Sequence, residues 1–405
     1  MWLPVAPDAG IGTRPVGVVA GGVPLVLVRP VAGAPPVAFA DRCPHRLVPL
    51  SAATLDGGRL RCAYHGWEFD GSGACVALPS QPGQAPPRAD LPPGPRVRVA
   101  DGTVYVHAGD VASTAADPGD LLTNTDPGLR RAWHPVALAS EEPGPVTLLG
   151  ETYDPPGETF DEGGTYEVRG GARAFGVRRK WGLIWLAPDE PLVDLFPDAD
   201  ADDAAYVGAW LPPVRSPVAA GVVADNFLDV AHFPFVHAGT FGAAEEKIVE
   251  KYAVTTEPWG CRSVQDQWFD NPEDPGVLAG VRPLRQRRRA TYVYRAPFQL
   301  LLRLEELDAG AVKTILFFAQ PETRTSTRIY TKMLLHGIGG VADPGPDVVA
   351  KEVAFEEAVL AEDLALQRAM RLPGLPLRMR DELHVRADLL GVTLRRTLAE
   401  LVGRA

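Results

Sequence analysis

Two short motifs near the start of the chain each pair a cysteine with a histidine. Cys43 is followed two residues later by His45, Cys62 is followed three residues later by His65, and sixteen residues separate the motifs. Each motif supplies one thiolate and one imidazole, and together they match the ligand set of a [2Fe–2S] cluster with two histidines on one iron. A zinc site is the alternative, but zinc-finger spacing places both cysteines in one element and both histidines in another. The alternating order therefore favours a [2Fe–2S] cluster bound by these four residues.

A second pair of histidines lies far downstream. Asp229 precedes His232 by three residues, and His237 follows His232 by five. Two histidines and one carboxylate form the facial triad of a mononuclear non-heme Fe(II) site, which leaves coordination positions open for O₂. Because a spacing of five does not place both histidines on one helical face, we expect a helix over Asp225–Val236 that Pro234 ends or kinks.

The carboxylate that completes this triad is expected on the last long helix, predicted over Val348–Met370. The acidic candidates on this helix are Glu356, Glu357, Glu362 and Asp363. Its apolar stripe consists of Val349, Val353, Leu360 and Leu364. With about 100° per residue, Glu362 points away from this stripe. Asp363 lies at the edge of the stripe and Glu356 lies near it, so both remain open as the third ligand.

The composition excludes several classes of protein. The net charge of -11 argues against nucleic-acid binding as a main role. No apolar run is long enough for a membrane span. The chain has four cysteines, and assigning two to the cluster leaves only Cys75 and Cys261. This sparse usage is typical of a reducing compartment, so we expect a cytoplasmic protein.

The predicted fold class is α+β. Residues 1–112 are predicted to form a small all-β domain around the two cluster motifs, because short Val-rich runs alternate with Gly, Pro and Asp. The predicted strands are Val16–Ala20, Pro24–Val28, Ala38–Ala40, Trp67–Asp70, Arg96–Val99 and Val104–His107. Residues 201–405 are predicted to form a catalytic domain with an antiparallel sheet flanked by helices. Its predicted strands are Lys251–Thr255, Ala290–Tyr294, Gln299–Leu304, Ala311–Ala319 and Thr327–Leu335.

Residues 113–200 are predicted to be a connecting β segment with internal echoes of the first domain. Trp133–Ala137 resembles Trp2–Ala6, and Gly182–Leu186 resembles Gly102–Val106. Two interpretations stay open, since short matches also arise by chance. The segment is either a shortened, metal-free second copy of the β domain, or a set of strands that completes the first copy.

The two motifs resemble a known family. Cys43–Arg46 together with Cys62–Trp67 is similar to the Rieske domain of the oxygenase (alpha) component of Rieske non-heme iron oxygenases. Respiratory Rieske proteins carry an extra cysteine in each cluster loop, which these loops lack. Ala361–Leu364 resembles the segment in which the demethylase branch of the family places its iron carboxylate. The resemblance therefore favours Asp363 over Glu356.

The resemblance also implies roles for two further residues. In the family, the carboxylate at the position of Asp229 binds a histidine of the mononuclear iron and bridges to a cluster histidine of a neighbouring subunit. Asp229 would then link His65 of one chain to His232 of the next, in a homotrimer. Asn226 matches a position near the iron, with a helix-surface or capping amide as the alternative.

The implied activity is O₂-dependent hydroxylation or oxidative demethylation of an aromatic or heterocyclic small molecule. A separate ferredoxin or flavin-dependent reductase is expected as electron donor, because the chain shows no dinucleotide-binding fingerprint. The basic run of Arg282, Arg285, Arg287, Arg288 and Arg289 is either a docking patch for this donor or a solvated hairpin flank. Pocket candidates, which are equally expected as core residues, are Phe269, Phe298, Leu300, Leu302 and Phe317.

Two other functions compete with this one. A cis-dihydroxylating dioxygenase or natural-product tailoring oxidase would share the same cofactors and differ in its product. A pure electron carrier would hold two irons per chain, whereas an oxygenase would hold three.

Overall fold

The structure is a computed structural model. It describes residues 1–83, 89–111, 119–142, 144–154, 167–168, 174–198, 200–241, 247–272 and 274–404. The connecting segment 113–200 is therefore described only in part. None of the helices in the described ranges combines the length and the apolar character needed to cross a membrane.

The N-terminal domain is all-β, in agreement with the prediction. Its strands are β1 (Trp2–Pro7), β2 (Val16–Ala20), β3 (Val23–Val28), β4 (Val37–Ala40), β5 (Thr54–Asp56), β6 (Arg59–Arg61), β7 (Glu68–Phe69), β8 (Cys75–Ala77), β9 (Val97–Ala100) and β10 (Thr103–His107), followed by the short helix α1 (Ala108–Val111). They form antiparallel sheets ordered β1-β10-β9, β2-β3-β4 and β5-β6-β7-β8. The predicted strands are all present. The sequence missed β5, β6 and β8, which are too short to show an alternating pattern, and β1, which contains two prolines.

The connecting segment repeats part of this arrangement. Its strands are β11 (Leu121–Leu122), β12 (His134–Leu138), β13 (Val146–Leu148), β14 (Glu151–Asp154), β15 (Glu167–Val168), β16 (Gly176–Lys180) and β17 (Leu183–Ala187). They include two three-stranded sheets, ordered β12-β17-β16 and β13-β14-β15. These orders match β1-β10-β9 and β2-β3-β4 of the first domain strand for strand.

The C-terminal domain is built on one eight-stranded antiparallel sheet, ordered β18-β25-β24-β23-β22-β21-β20 with β19 beside β25. Its strands are β18 (Val207–Trp210), β19 (Val214–Ser216), β20 (Thr255–Glu257), β21 (Gly260–Asp270), β22 (Arg285–Arg295), β23 (Gln299–Glu306), β24 (Val312–Thr323), β25 (Ser326–His336) and the separate β26 (Leu375–Pro376). Its helices are α2 (Ala220–Leu228), α3 (Phe233–Val236), α4 (Pro275–Leu278), α5 (Pro346–Ala369) and α6 (Leu389–Leu401).

Two sequence predictions in this domain were wrong in detail. The predicted strand Lys251–Thr255 is irregular up to Val254, and the strands in this region are the short β20, which begins at Thr255, and β21. One side of β21 carries the polar residues Ser263, Gln265 and Gln267 where a strand usually has apolar ones, so its sequence does not show the apolar-polar alternation that predicts a strand. The predicted helix Asp225–Val236 is two helices, because the backbone is extended at Asp229. Pro234 does not end a helix. It lies in the first turn of α3, where its missing N–H costs nothing.

The two faces of the large sheet pack against different partners. Phe227 of α2 contacts Phe317 with ring centroids 4.7 Å apart. The next residue along β24, Phe318, points to the opposite face and stacks on Trp181, with centroids 5.7 Å apart. Helix α2 therefore covers one face, and the turn between β16 and β17 of the connecting segment covers the other.

A buried ionic network holds α6 against α2. Arg395 is fully buried and donates to both Oδ atoms of Asp225, at 2.5 and 2.8 Å, and to Glu382 at 2.8 Å. Burial opposes its charge, but the two carboxylates outweigh this and raise the pKa of Arg395 above its usual value. The network fixes the position of α2, which leads into the histidine segment.

We predict that Arg395→Met destabilises the protein strongly, because the buried Glu382 loses its arginine partner and the buried Asp225 keeps only Arg46, at 3.3 Å. Removing one partner of a buried ion pair typically costs about 3–5 kcal/mol. The midpoint of urea unfolding, followed by circular dichroism, measures the effect. The exposed neighbour Arg396 is the matched control, and Arg396→Met should change stability by no more than about 0.5 kcal/mol. Equal midpoints for the two variants would contradict the prediction.

Candidate metal centres

The two Cys-His motifs occupy loops of the same backbone geometry. In the first loop, Cys43 N–H donates to the Val48 carbonyl at 2.9 Å, and Leu47 N–H donates back to the Cys43 carbonyl at 3.0 Å. In the second loop, Cys62 N–H donates to the Trp67 carbonyl at 2.9 Å, and Gly66 N–H donates to the Cys62 carbonyl at 3.0 Å. Both loops therefore present a cysteine and a histidine from a closed turn.

Gly66 is required at its position for two reasons. Its φ of 65° lies in the left-handed region, where glycine carries no steric penalty. A Cβ atom on Gly66 would also lie 2.1 Å from a ring carbon of Phe235 in α3. The second loop can therefore approach α3 closely only with glycine at this position.

The four side chains of the loops converge in a buried space. Cys43, Cys62, His45 and His65 are each at most 3% exposed. The rings of His45 and His65 lie 4.3 Å apart, centroid to centroid. A hydrogen bond from Cys43 lowers the pKa of Cys62 to about 7, while burial and the nearby Cys62 raise the pKa of Cys43. Two soft sulfur donors and two imidazoles thus face one another, as a histidine-ligated [2Fe–2S] cluster requires.

Each histidine of this group binds a carboxylate through Nε2. His45 Nε2 lies 3.0 Å from Asp388 Oδ2, and His65 Nε2 lies 2.7 Å from Asp229 Oδ2. The buried Nδ1 of His45 has no hydrogen-bond partner, and burial lowers the pKa of His45 to about 4. A neutral imidazole with a free Nδ1 and an anchored Nε2 suits a metal ligand. The residues present therefore fit the cluster.

The downstream histidines meet Asp363 at a second buried point. His232 Nε2 and His237 Nε2 lie 3.0 Å apart, and Asp363 Oδ1 lies 3.5 Å from each. Their ligand atoms all lie within 4.8 Å of one another. Asp363 Oδ1 is buried and has no hydrogen-bond partner. Two nitrogens and one carboxylate oxygen therefore converge, and this donor set fits a facial triad.

The break between α2 and α3 explains how histidines five residues apart meet. His232 is the N-cap of the single turn α3, and His237 is its C-cap. The turn closes between them, since His237 N–H donates to the Phe233 carbonyl at 3.0 Å. Both rings then project from the same side of one turn. Burial opposes charge on His232, but the nearby carboxylates of Asp229 and Asp363 raise its pKa to about 9, so this position attracts positive charge.

Asp229 lies between the two groups of ligands. Its Oδ2 accepts from His65, and its Oδ1 lies 3.7 Å from His232 Nδ1 and accepts from the Ala231 N–H at 2.8 Å. Burial would raise the pKa of Asp229, but the attraction and hydrogen bond of His65 and the nearby His232 hold it well below its usual range. In this single-chain structure the link lies within the chain, and a link between two subunits stays a prediction. His65, Asp229 and His232 belong to one chain, because the N-terminal domain docks onto its own C-terminal domain.

Glu362 is a residue that the sequence analysis misplaced. The helical projection turned it away from the site, but its Oε2 lies 2.9 Å from His237 Nδ1 and accepts from the Thr240 hydroxyl at 2.8 Å. The projection assumed that the site lies on the apolar, sheet-facing side of α5. Instead, α3 and the turn after it pack against the opposite side of α5, where Glu362 lies. Gly239 makes room for this contact, since a Cβ atom there would lie 2.6 Å from Glu362 Oε1.

Asn226 is neither a helix-surface amide nor a cap through its side chain. It is 3% exposed, donates to the Tyr64 hydroxyl at 3.1 Å, and accepts from the Gln367 amide at 2.7 Å. The Tyr64 ring lies beside the rings of both His65 and His232, at 4.0 and 5.7 Å. Asn226 therefore ties α2 to the cluster loop and to α5, and both of its polar groups are engaged.

The remaining candidates lie outside the two convergent groups. Glu356 is half-buried, two turns before Asp363 on α5, and Glu357 is exposed. Phe298, Leu300 and Phe317 belong to the buried core, whereas Leu302 is only partly buried against it. Phe269 packs under the Arg288 guanidinium.

The basic run lies at the start of β22 and in the segment before it, and its charges are paired. The partner carboxylates of Arg282, Arg285, Arg287, Arg288 and Arg289 are those of Asp274, Asp270, Asp308, Glu306 and Asp266. Paired charges of this kind do not form a positive docking patch, so the structure favours the solvated-flank interpretation.

Comparison with known families assigns both domains. Residues 1–93 match the Rieske [2Fe-2S] domain, and residues 218–404 match the vanillate O-demethylase oxygenase C-terminal domain. The chain belongs to the Rieske non-heme iron oxygenases. The [2Fe–2S] cluster is therefore the cofactor of the N-terminal domain. The intervening residues 94–217, which include the connecting segment, are matched by neither model.

Individual relatives match parts of the chain. The oxygenase component of dicamba O-demethylase from Stenotrophomonas maltophilia is 37% identical over 132 residues, 32% of this chain and 38% of that protein. A probable methylxanthine N7-demethylase from Pseudomonas sp. (strain TJI-51) is 29% identical over 54% of this chain and 74% of that protein. NdmA of Pseudomonas putida CBB5, solved with caffeine, is 20% identical over 99% of this chain and 90% of its own, with a TM-score of 0.45.

We predict that Glu362 positions His237. Glu362→Ala should weaken Fe(II) binding by about 10–100-fold, because His237 loses the partner that fixes its ring and tautomer. Glu362→Gln keeps an acceptor oxygen and should restore most of the affinity. Fe(II) titration of the metal-free protein gives the dissociation constants. Glu357→Ala, an exposed neighbour on the same helix, is the control, and an equal effect of Glu357→Ala and Glu362→Ala would contradict the positioning role.

Proposed function

We propose that this chain is the oxygenase component of a monooxygenase system that hydroxylates or oxidatively demethylates an aromatic or heterocyclic small molecule. The observation that carries the proposal is the buried carboxylate of Asp229, which lies between His65 and His232. The N-terminal domain supplies a site that can store electrons, and the C-terminal domain supplies a site that can bind O₂. Asp229 connects the two sites. The demethylases among the relatives support the reaction class.

In this proposal Cys43, His45, Cys62 and His65 hold the [2Fe–2S] cluster. His232, His237 and Asp363 hold the mononuclear iron. When bound, the cluster supplies single electrons and the iron supplies O₂ activation. Asp229 orients His65 and His232, and Asp388 and Glu362 do the same for His45 and His237. Asn226 acts by positioning Tyr64, to whose hydroxyl it donates.

An aromatic surface beside the iron ligands supports an aromatic substrate. Phe241 stacks on His237 with ring centroids 4.9 Å apart, and Phe355 of α5 lies 6.5 Å from Phe241. Both phenylalanines are about two-fifths exposed, at 43% and 39%. Large exposed aromatic groups next to a polar site are typical of ligand-binding surfaces, and flat apolar rings would pack well against them.

The proposed system includes partners outside this chain. A ferredoxin or a flavin-dependent reductase would supply electrons, and O₂ and a small organic molecule would be the substrates. The described cysteines are free, which supports a reducing, cytoplasmic location. Assembly as a homotrimer stays a prediction from the family resemblance.

Iron analysis and product analysis test the proposed function. The reconstituted protein should bind three irons per chain, against two for an electron carrier. Anaerobic binding of methoxyaromatic and N-methyl heterocyclic compounds should perturb the Fe(II) spectrum. Turnover with O₂ should then release formaldehyde, since R–O–CH₃ + O₂ + 2e⁻ + 2H⁺ gives R–OH, HCHO and H₂O. A cis-diol product would favour the dioxygenase instead, and a protein with two irons and no O₂ uptake would refute an oxygenase.

We predict that Asp363→Ala removes the mononuclear iron and leaves the cluster intact. The variant loses the only carboxylate oxygen that lies 3.5 Å from both histidine nitrogens in the described structure. Iron content should fall from three to two per chain, with an unchanged cluster spectrum. Glu356→Ala, on the same face of α5, is the control and should keep three irons. The reverse result would transfer the ligand role to Glu356.

We predict that Asp229→Asn retains both metal centres and abolishes coupled turnover. The amide has the same size as the carboxylate but carries no charge, and only its oxygen can accept a hydrogen bond from an imidazole N–H. Metal content and the cluster spectrum should match the wild type, while product per electron consumed falls at least about a hundredfold, as for loss of a metal-orienting group. Full coupled activity of this variant would remove the bridging role of Asp229.

A further inference from the structure

Glu356 on α5 is a carboxylate that the roles proposed so far do not use. It precedes Asp363 by seven residues, a rotation of about 700° that falls only about 20° short of two full turns. Both side chains therefore project from the same face of α5. Along the helix axis their Cα atoms are about 10 Å apart, at a rise of about 1.5 Å per residue. One aromatic ring with a substituent at each end fits this separation.

An aromatic wall, formed by Phe241 and Phe355, connects this part of α5 to the iron ligands. Phe241 stacks on His237 with ring centroids 4.9 Å apart, and Phe355 lies 6.5 Å from Phe241. Phe355 is the residue directly before Glu356. A flat ring packed along the aromatic wall would have one end at the candidate iron site and the other end near Glu356.

Lys313 of β24 brings a positive charge to the far end of the aromatic wall. It lies four residues before Phe317, so both side chains point to the face of the large sheet that α2 covers. The Lys313 ammonium lies 5.3 Å from the centre of the Phe355 ring, and it forms an ion pair with Glu352 of α5. The charge of Lys313 is therefore already compensated.

A second ion pair lies on the same face of the sheet. Arg288 and Glu306 are directly opposite each other on β22 and β23, with 3.7 Å between nitrogen and oxygen. The two pairs, together with Glu356, make two cations and three carboxylates. The surplus negative charge of this group favours a donor or a positive group on a bound molecule, and it disfavours a carboxylate.

Glu356 is the member of this group without a partner. Among the residues that the structure describes, it forms neither a hydrogen bond nor an ion pair. Burial raises the pKa of Glu356 above its usual value, and the charge of Lys313 opposes this shift only in part. A half-buried carboxylate is stabilised by donors, and a molecule bound along the aromatic wall can supply one.

We propose that Glu356 is a specificity-determining residue, which accepts a hydrogen bond from an N–H or O–H group of the substrate. This donor lies at the end of the substrate opposite to the carbon that is oxidised. The substrate is then an aromatic or heterocyclic compound with a donor at that end, and a carboxylate there is rejected. This inference rests on the proposed function and deepens it by naming the class of substrate.

Four para-substituted methoxybenzenes test the requirement for a donor. The amine para-methoxybenzylamine presents a cationic donor, and para-methoxybenzyl alcohol presents a neutral one. The hydrocarbon analogue para-ethylanisole has the same size without a donor, and para-methoxybenzoate presents a carboxylate. Anaerobic calorimetric titration of the reconstituted Fe(II) protein gives four dissociation constants, and this readout does not depend on turnover.

The wild-type protein should bind the amine and the alcohol at least about 10-fold more tightly than para-ethylanisole. The reason is that each donor gives Glu356 a charge-assisted hydrogen bond, which the ethyl group cannot form. The benzoate should bind most weakly, because a second carboxylate would be brought close to Glu356. Equal affinity for all four compounds, preference for the benzoate, or no binding of any of them would overturn the inference.

Glu356→Gln tests whether this residue is responsible. The substitution removes the charge at constant size, so binding of the amine should weaken by about 10–100-fold. Binding of the alcohol should weaken less, since the amide oxygen still accepts, and binding of para-ethylanisole should not change. Glu356→Asp keeps the charge and should retain part of the preference for the amine. Glu357→Gln, at an exposed neighbouring position on α5, is the control and should match the wild type.

Three results of the variant series would contradict the role of Glu356. One is an equal effect of Glu356→Gln on all four compounds, which indicates a structural role only. Another is an equal effect of Glu357→Gln. The third is loss of iron from Glu356→Gln, which would make this residue a metal ligand. The wild-type series needs no variant, so it decides the requirement for a donor even if Glu356→Gln fails to fold.

The outcomes separate this inference from the proposed function. Release of formaldehyde from any of the four compounds supports the oxygenase function, whatever their order of affinity. Preferential demethylation of para-methoxybenzoate would keep that function and overturn the role of Glu356. Binding in the expected order without any O₂ uptake would support the role of Glu356 in binding and refute the oxygenase.

Discussion

The buried contact between Asp229 and His65 determines the arrangement of the whole chain. The carboxylate lies where α2 stops, and the extended backbone at this residue lets its side chain turn toward the N-terminal domain. The same break lets the chain continue into the single turn that His232 and His237 cap. A continuous helix would separate these functions. The irregular backbone therefore creates both the link between the domains and the geometry of the second site.

Carboxylates fix the orientation of the ligand histidines. A carboxylate contacts three of the four at the ring nitrogen that faces away from the candidate metal, with Asp388 on His45, Asp229 on His65 and Glu362 on His237. Such contacts fix the tautomer and the ring orientation. The C-terminal domain supplies all three carboxylates. It therefore completes the surroundings of the cluster ligands as well as those of its own site, and burying these charges requires the compensating arginines Arg46 and Arg395.

The connecting segment shares strand orders with the N-terminal domain and lies on the far side of the large sheet. Its two three-stranded sheets have the same orders as two sheets of that domain. Among the residues that the structure describes, it lacks a counterpart of the four-stranded sheet β5-β6-β7-β8. Its Trp181 and Trp185 pack against one face of the large sheet, and α2 covers the other face through Phe227. A second copy of the Rieske fold stays a prediction.

The sequence by itself determined the chemistry. The Cys-His motifs, the histidine pair and the fold class follow from residue types and spacing, which are local properties. Helical projection left Asp363 and Glu356 open as the third ligand, and the family resemblance favoured Asp363. Tertiary structure alone decided that α2 breaks at Asp229, that Glu362 faces His237, and that Asp388 and Asp225 enclose the cluster loop. It also decided that His65 meets Asp229 of its own chain. These contacts join residues more than a hundred positions apart. No periodic pattern encodes such pairs, because they depend on how whole domains pack.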